Sequence, residues 1–363
     1  MHKLRYLIVI VFFVTVLGAV IIFKPENDDL LDDDTLDTET FIQTKFTNDN
    51  GTLATYTKET ELEESDDVVK GREALSETLG LWMYYALLIE DLALFDEAFE
   101  ILDEYFLEED GFVYWKVTKQ GKSEVSANAL VDDLRISHAL WQGAKKWDDE
   151  RYEKTALLIS EYNAQWNENQ GVLTDFFERD EQYATHILTL SYIEPKALTM
   201  MNQKDVISEK TYEKMMDILK NAPYEGSFFP KEYDVEDKTY HFDDDVNMID
   251  QSLIALNRAS SEMLTTRFYE FIIHEMDMNG MIFGQYDLET EKPLVKYESP
   301  AVYGWLILYS LEINDYDLVK DLYKRMRQRQ VKNFSENNLH IFDSLVPLIA
   351  TTELEKRGII EQK

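Results

Sequence analysis

Carboxylates set into helices that otherwise carry apolar residues are the chemically informative side chains of this 363-residue chain. Glu77 lies in Ser76-Glu77-Thr78-Leu79-Gly80-Leu81-Trp82, the first turn of a strongly apolar helical stretch. An acid there is common, because the helix dipole favours its negative charge. A proton donor must instead hold its proton, through burial or neighbouring carboxylates. Asp132 and Asp133 interrupt a second apolar helix, Asn128-Ala129-Leu130-Val131-Asp132-Asp133-Leu134-Arg135-Ile136. Adjacent helical residues point about 100° apart, so one acid can face inward. The plainer reading is one surface acid and one partner for Arg135. A third cluster, Tyr240-His241-Phe242-Asp243-Asp244-Asp245, precedes the helix that starts near Val246. Asp243 or Asp244 could be no more than its N-cap. Calcium binding by the triple Asp is a weaker reading, since no regular ligand spacing follows. Asp250, inside the apolar part of the same helix, is the reserve candidate. Two carboxyl groups of opposite protonation are what glycosidic hydrolysis needs, one for the leaving oxygen and one for water or carbon.

Other chemistries are thinly represented. There is no Ser-His-Asp order, no HExxH and no phosphate loop, and the six histidines are scattered. The chain has no cysteine, which excludes disulfides, thiolate metal sites, a cysteine nucleophile and an acylated-cysteine anchor. No metal or organic cofactor is called for. With 71 acidic against 36 basic residues, the net charge of −35 repels nucleic acid and disfavours a polyanionic substrate.

The elements that must position these acids follow from a repeat. Asn50-Gly51, Asp110-Gly111, Gln170-Gly171, Glu225-Gly226 and Asn279-Gly280 each lead into apolar or aromatic residues, and Asn338-Leu339 falls where a sixth copy belongs. The steps are 60, 60, 55 and 54 residues, a period that signals a repeat architecture. Apolar residues spaced three and four apart predict two helices per period. One stripe is Leu75, Leu79, Trp82, Met83 and Ala86, and the next runs from Leu92 to Phe106. Further helices are expected near 126–146, 149–166, 184–202, 208–220, 246–258, 261–277, 300–313, 315–330 and 341–356. Six hairpins closing on themselves make an all-α (α/α)6 barrel, its glycine loops around one funnel and short β-ribbons in those loops. Most aromatics belong to the core. Trp115, Phe177, Tyr233 and Tyr286 sit in loops and are the expected sugar-stacking platforms.

At the amino terminus, His2, Lys3 and Arg5 precede an apolar run from Tyr6 to Phe23. A run of this length can span a bilayer, and the basic flank predicts a cytoplasmic start with the remainder exported. Residues 1–23 are therefore expected to be a transmembrane anchor or signal segment, and 24–40 an acidic tether. Residues 41–356 form the catalytic domain, a monomer on the outer face of the cell membrane.

Three motifs carry a family resemblance. Ser76-Glu77 with Gly80, Asp133-Leu134-Arg135-Ile136-Ser137-His138-Ala139-Leu140, and Phe242-Asp243 together resemble glycoside hydrolase family 8, over about Phe41 to Glu355. The phrases at 76–83, 128–136 and 297–303 are closest to a divergent Gram-positive branch linked to exopolysaccharide production. The resemblance implies an (α/α)6 barrel and inverting hydrolysis of a β-linked polysaccharide. It makes Glu77 the acid, Asp243 the base and Asp133 a carboxylate on the central sugar, with Asp132 and Arg135 beside it. An inverting pair stands about 6.5–9.5 Å apart to admit water. Thr78 stands where the family has glycine, Arg135 where it has a second Asp, and the Cys-Arg-x-Pro-Trp-Arg segment after the base is missing. Two other readings compete. A polysaccharide lyase can use the same toroid but needs cationic neutralisation of a uronate, against this acidic charge. A glycan-binding accessory protein in exopolysaccharide production or export would keep the groove without the chemistry.

Overall fold

The computed structural model describes residues 38–59, 69–334 and 338–361. The expected membrane segment 1–23 and most of the tether lie outside these residues. Twelve α-helices are found among them: α1 Thr38–Lys45, α2 Ser76–Ile89, α3 Leu92–Ile101, α4 Leu130–Trp147, α5 Glu150–Trp166, α6 Pro195–Gln203, α7 Glu209–Asn221, α8 Met248–Ala259, α9 Thr266–Asn279, α10 Pro300–Glu312, α11 Tyr316–Phe334 and α12 Phe342–Lys356.

The even-numbered helices make an inner ring. α2 packs on α4, α4 on α6, α8 on α10, α10 on α12, and α12 returns to α2; between α6 and α8 the contact runs through the short 3-10 turn Leu190–Tyr192. Composition explains the placement. Eleven of the fourteen residues of α2 and eleven of the thirteen of α10 are buried, and a helix apolar all round must be covered all round. The odd-numbered helices lie outside, and α7, with apolar residues on one face only, illustrates their pattern. The result is an (α/α)6 barrel. First and last helices close it: α1 packs on α12, Tyr84 donates to Glu353 at 2.8 Å, and Tyr85 donates to Glu39 at 2.7 Å.

Every glycine loop leads from an outer helix to the next inner one, so all open at the end where inner helices begin. The short antiparallel strand pairs lie in the same connections. Ala74–Leu75 pairs with Lys116–Val117, Asp245–Asn247 with Gln285–Asp287, and Ile187–Thr189 joins Glu232–Asp234 and Thr239–His241. The five loop glycines have φ between 55° and 96°. At Gly111 the constraint is double, because a Cβ would also fall 2.4 Å from the Leu158 carbonyl oxygen.

Two expectations change. The segment 184–194, expected to begin a helix, is a strand followed by the 3-10 turn, and α6 starts only at Pro195. Proline's fixed φ and missing N–H suit a helix's first turn, so it marks the true start. Thr38–Thr40, the last three residues of the expected tether, belong to α1, whose Phe41 and Ile42 are buried.

Gly111→Ala is expected to cost about 2–3 kcal/mol from left-handed strain plus collision. Gly280→Ala, whose Cβ meets nothing within 4 Å, should cost about 1 kcal/mol; thermal melts of both variants check the order. A chain starting at Thr38 should melt cooperatively, whereas one starting after Lys45 uncovers α12 and should lose several degrees or become insoluble.

Candidate active site

Inner-helix N-termini surround the mouth of the barrel, and acids occupy their first turns: Glu77 on α2, Asp132 and Asp133 on α4, Asp250 on α8. Helix N-termini carry partial positive charge, so carboxylates are tolerated there better than elsewhere on inner helices.

Glu77 leans on a buried cation. Arg135 Nη1 donates to Glu77 Oε1 at 2.7 Å, and Arg135 Nε donates to Glu194 Oε1 at 3.0 Å. The Arg135 side chain is 9% exposed against 28% for Glu77, so the guanidinium lies behind the carboxylate rather than in the groove. Beside it, Ser76 Oγ donates to Asp132 Oδ2 at 2.6 Å. Burial, then the charge of Glu77, holds Asp132 well above the ordinary carboxylate range, against the pull of Ser76 and Arg135. Asp132 and Arg135, expected to touch substrate, thus form the layer beneath Glu77: both are committed to protein partners.

Asp133 is placed differently from its neighbour. Its carboxyl accepts from Asn128 Nδ2 at 2.7 Å and Asn163 Nδ2 at 3.0 Å, where α4 meets α5, and it is 1% exposed. Burial pushes it up to about 8 despite those two bonds. The place beside Glu77 belongs to Asp132, because the turn of the helix sends consecutive side chains to different faces.

Across the mouth, Asp243 and Asp250 share a cavity of about 260 Å³ with Lys231, Asn247, Gln251 and Gln285. Asp243 is exposed and pairs with Lys231 at 2.6 Å. It is not the helix cap: Asn247 is, accepting from Ile249 N at 2.8 Å. Asp250 lies deeper, accepts from Ser191 Oγ at 2.9 Å, and is raised by burial, with Ser191 and Lys231 opposing and the charges of Glu77 and Asp243 adding. A larger cavity of about 350 Å³ lies between α1, α2 and α3, lined by Leu79, Trp82 and Glu97. Glu97 is its one acid, and none of the carboxyl groups of the mouth lines it.

Three groups of the mouth were missed. Asp175 accepts from Thr189 N at 2.6 Å and Thr189 Oγ1 at 2.7 Å, and burial pushes it up to about 7. Tyr192 is raised by burial, then by Glu77, Asp175, Asp132 and Asp250, which puts its phenol among four carboxyl groups. Glu194 is the third. Tyr192 and Glu194 fall in the stretch misread as helix; Pro195 was the available signal. Asp175 follows the third glycine loop, a position no helical pattern marks.

Of the expected platforms, Trp115 and Tyr233 are half-buried and stay available. Trp115 adjoins the acid, since Ser76 N donates to its carbonyl at 3.1 Å. Phe177 and Tyr286 are core residues. Phe177 packs with Tyr162 and Trp166. Tyr286, fully buried, donates to Glu275 at 2.8 Å and sits edge-on to Phe271. Both rings face inward and cover outer helices, Phe177 against α5 and Tyr286 against α9.

A helical toroid with paired acids at one mouth defines the class of six-hairpin glycosidases. The chain belongs to glycosyl hydrolase family 8: that family's model matches residues 57–217. YdaJ of Bacillus subtilis (strain 168), described as a candidate lipoprotein, is 32% identical over 333 residues, covering 89% of this chain and 88% of YdaJ. The crystal structure of PssZ from Listeria monocytogenes superposes with a TM-score of 0.74 at 26% identity, covering 87% of this chain and 94% of PssZ. A novel alpha-amylase from Clostridium perfringens gives 0.77 at 23% identity, covering 87% and 96%. An endo-1,4-D-glucanase from Vibrio fischeri ES114 gives 0.67 at 15%, covering 87% and 94%.

A carboxyl group raised in the folded state keeps a proton that the unfolded chain releases above about pH 4. Stability therefore falls as pH climbs from that value through the folded one. For Asp133 the window closes at about 8. Asp133→Asn should melt with a smaller loss between about pH 5 and about pH 8.5 than the parent; equal losses would mean that Asp133 is not protonated in the fold.

Proposed function

We propose that this protein is a membrane-tethered glycoside hydrolase on the outer face of the cell, cutting a β-linked exopolysaccharide internally with inversion. The observation that carries the reading is the opposition of carboxyl groups across one mouth. Glu77 stands on α2 and the Asp243–Asp250 pair stands at the start of α8, with the charges of Glu77 and Asp250 close enough to act on each other. In this reading Glu77 protonates the glycosidic oxygen. Asp243, open to water and fixed by Lys231, draws the proton from a water on the far face of the sugar. Asp250 is the competitor for that role, since it lies deeper and its charge and that of Glu77 act on each other. Trp115 and Tyr233 offer ring faces to the glycan. Tethering is supported by the apolar run from Tyr6 to Phe23 and by the description of YdaJ. No metal or organic cofactor enters the reaction, and the protein acts as a monomer.

A specific observation favours a second reading, a glycan-binding accessory protein without catalysis. The 2.7 Å contact from Arg135 already occupies Glu77 Oε1, an oxygen of the carboxyl that the catalytic reading assigns to the glycosidic oxygen.

Incubation with purified exopolysaccharide of the source organism, followed by sizing of the products, decides between them. Glu77→Gln keeps shape but cannot donate, so turnover should fall by about 10² or more. Asp243→Asn should fall as far while retaining polymer binding. Full activity in Asp243→Asn with none in Asp250→Asn moves the base to Asp250. Polymer binding with no cleavage by the parent protein establishes the accessory reading.

A further inference from the structure

An arginine next to a proton donor poses a physical problem. Arg135 is buried, and a buried guanidinium stripped of its counter-ion is strongly destabilising. Were Glu77 its sole partner, each protonation of Glu77 would leave that cation uncompensated. The structure supplies another anion. Glu194 accepts from Nε of the same guanidinium at 3.0 Å, on a different edge of the fork from Glu77. It is the N-cap residue of α6, yet its side chain makes no capping bond. A side chain free to cap its helix has been turned to Arg135 instead. Burial works against the charge of Arg135, but Glu194, then Glu77 and Asp132, outweigh it.

We propose that Glu194 is a positioning residue that keeps Arg135 neutralised while Glu77 carries a proton. The proposal rests on Glu77 being the acid. Glu194 touches no reacting atom in this scheme and acts through the guanidinium. Its negative charge also opposes a second anion on the same cation, which favours the protonated form of Glu77. The other groups facing Glu77 are Asp132 on α4, Tyr192 in the turn before α6, and Asp250 on α8. Trp305 of α10 lies 5.8 Å from the guanidinium and brings no charge. Among the described residues Arg135 is thus the cation in contact with Glu77, and Glu194 sets how much of it Glu77 feels. Arg135 stands where the family resemblance has an aspartate. The Arg135–Glu194 unit replaces one anion with a cation and an anion, leaving no net positive charge behind the acid.

Glu194→Gln tests this, because the amide oxygen can still accept from Arg135 while the charge is gone. Protonated carboxyl groups are trapped by a carbodiimide with glycine ethyl ester, and the modification of Glu77 is followed by mass spectrometry across pH in the full chain. In Glu194→Gln the half-labelling pH of Glu77 should fall by about one unit, the size expected for a change of neighbouring charge. The alkaline limb of kcat/KM on the purified exopolysaccharide should move down with it, at unchanged KM. Glu194→Asp, which keeps the charge, should restore most of both. Arg135→Gln, provided thermal melting shows it folded, should move both upward. A folded Glu194→Gln protein with the parental half-labelling pH overturns the proposal, even with Glu77→Gln inactive. A shifted half-labelling pH alongside an active Glu77→Gln protein upholds the pairing of Glu194 and Arg135 but overturns both Glu77 as the acid and the proposal built on it.

Discussion

A helix that is apolar on every side has to be enclosed, and this requirement arranges the molecule. α2 and α10 cannot sit at a surface, so six inner helices close into a ring and the outer helices cover them. A closed ring leaves open only its two ends. At one of them all six inner helices begin, presenting unpaired N–H groups and the positive ends of their dipoles. Acids gather there: Glu77, Asp132, Glu194, Asp250 and, in the first turn of α12, Asp343. In a protein of net charge −35, this mouth is where concentrated negative charge meets a backbone field that partly offsets it.

The same enclosure sets the protonation chemistry. Asp132, Asp175 and Asp250 each lie deep enough for burial to be the first cause of their upward displacement, and each has a hydroxyl donor pulling the other way: Ser76, Thr189 and Ser191. These short side chains lie in loops, turns or first turns of the mouth, beside the acids they serve. The mouth is thus lined by carboxyl groups that burial displaces upward, interleaved with two cations, Arg135 and Lys231. Such a set can give and take protons within one cleft, which is what separates a hydrolytic site from a surface cluster of solvated acids.

Much of this was legible in the residues. The glycine period marked the hairpins, since a left-handed glycine recurs in five of the connections that leave an outer helix. Glu77 and Asp250 stood out because an acid inside an apolar stripe needs a reason. Which of Asp132 and Asp133 faces the acid was not legible: neighbouring residues differ by one step of the helix, and α5 supplied asparagines that no local pattern announces. Phe177 and Tyr286 show the limit of reading exposure from loops, because in this barrel the loops cover the outer helices with their own rings. Asp175 gains its role from Thr189, returned to it by the strand of the same connection, and Glu194 from Arg135, a partner brought close by the packing of α4 on α6.

Topology also fixes how the mouth is presented. Outer helices run opposite to inner ones, so α1 ends at the mouth and begins at the far end. The described chain therefore enters at Thr38, a helix length away from the acids, on the side where α12 finishes near Leu88 of α2. The end at which the described chain enters and the acid-lined mouth are thus opposite ends of one barrel. The five glycine turns hold that arrangement, because each lies where an outer helix gives way to an inner one.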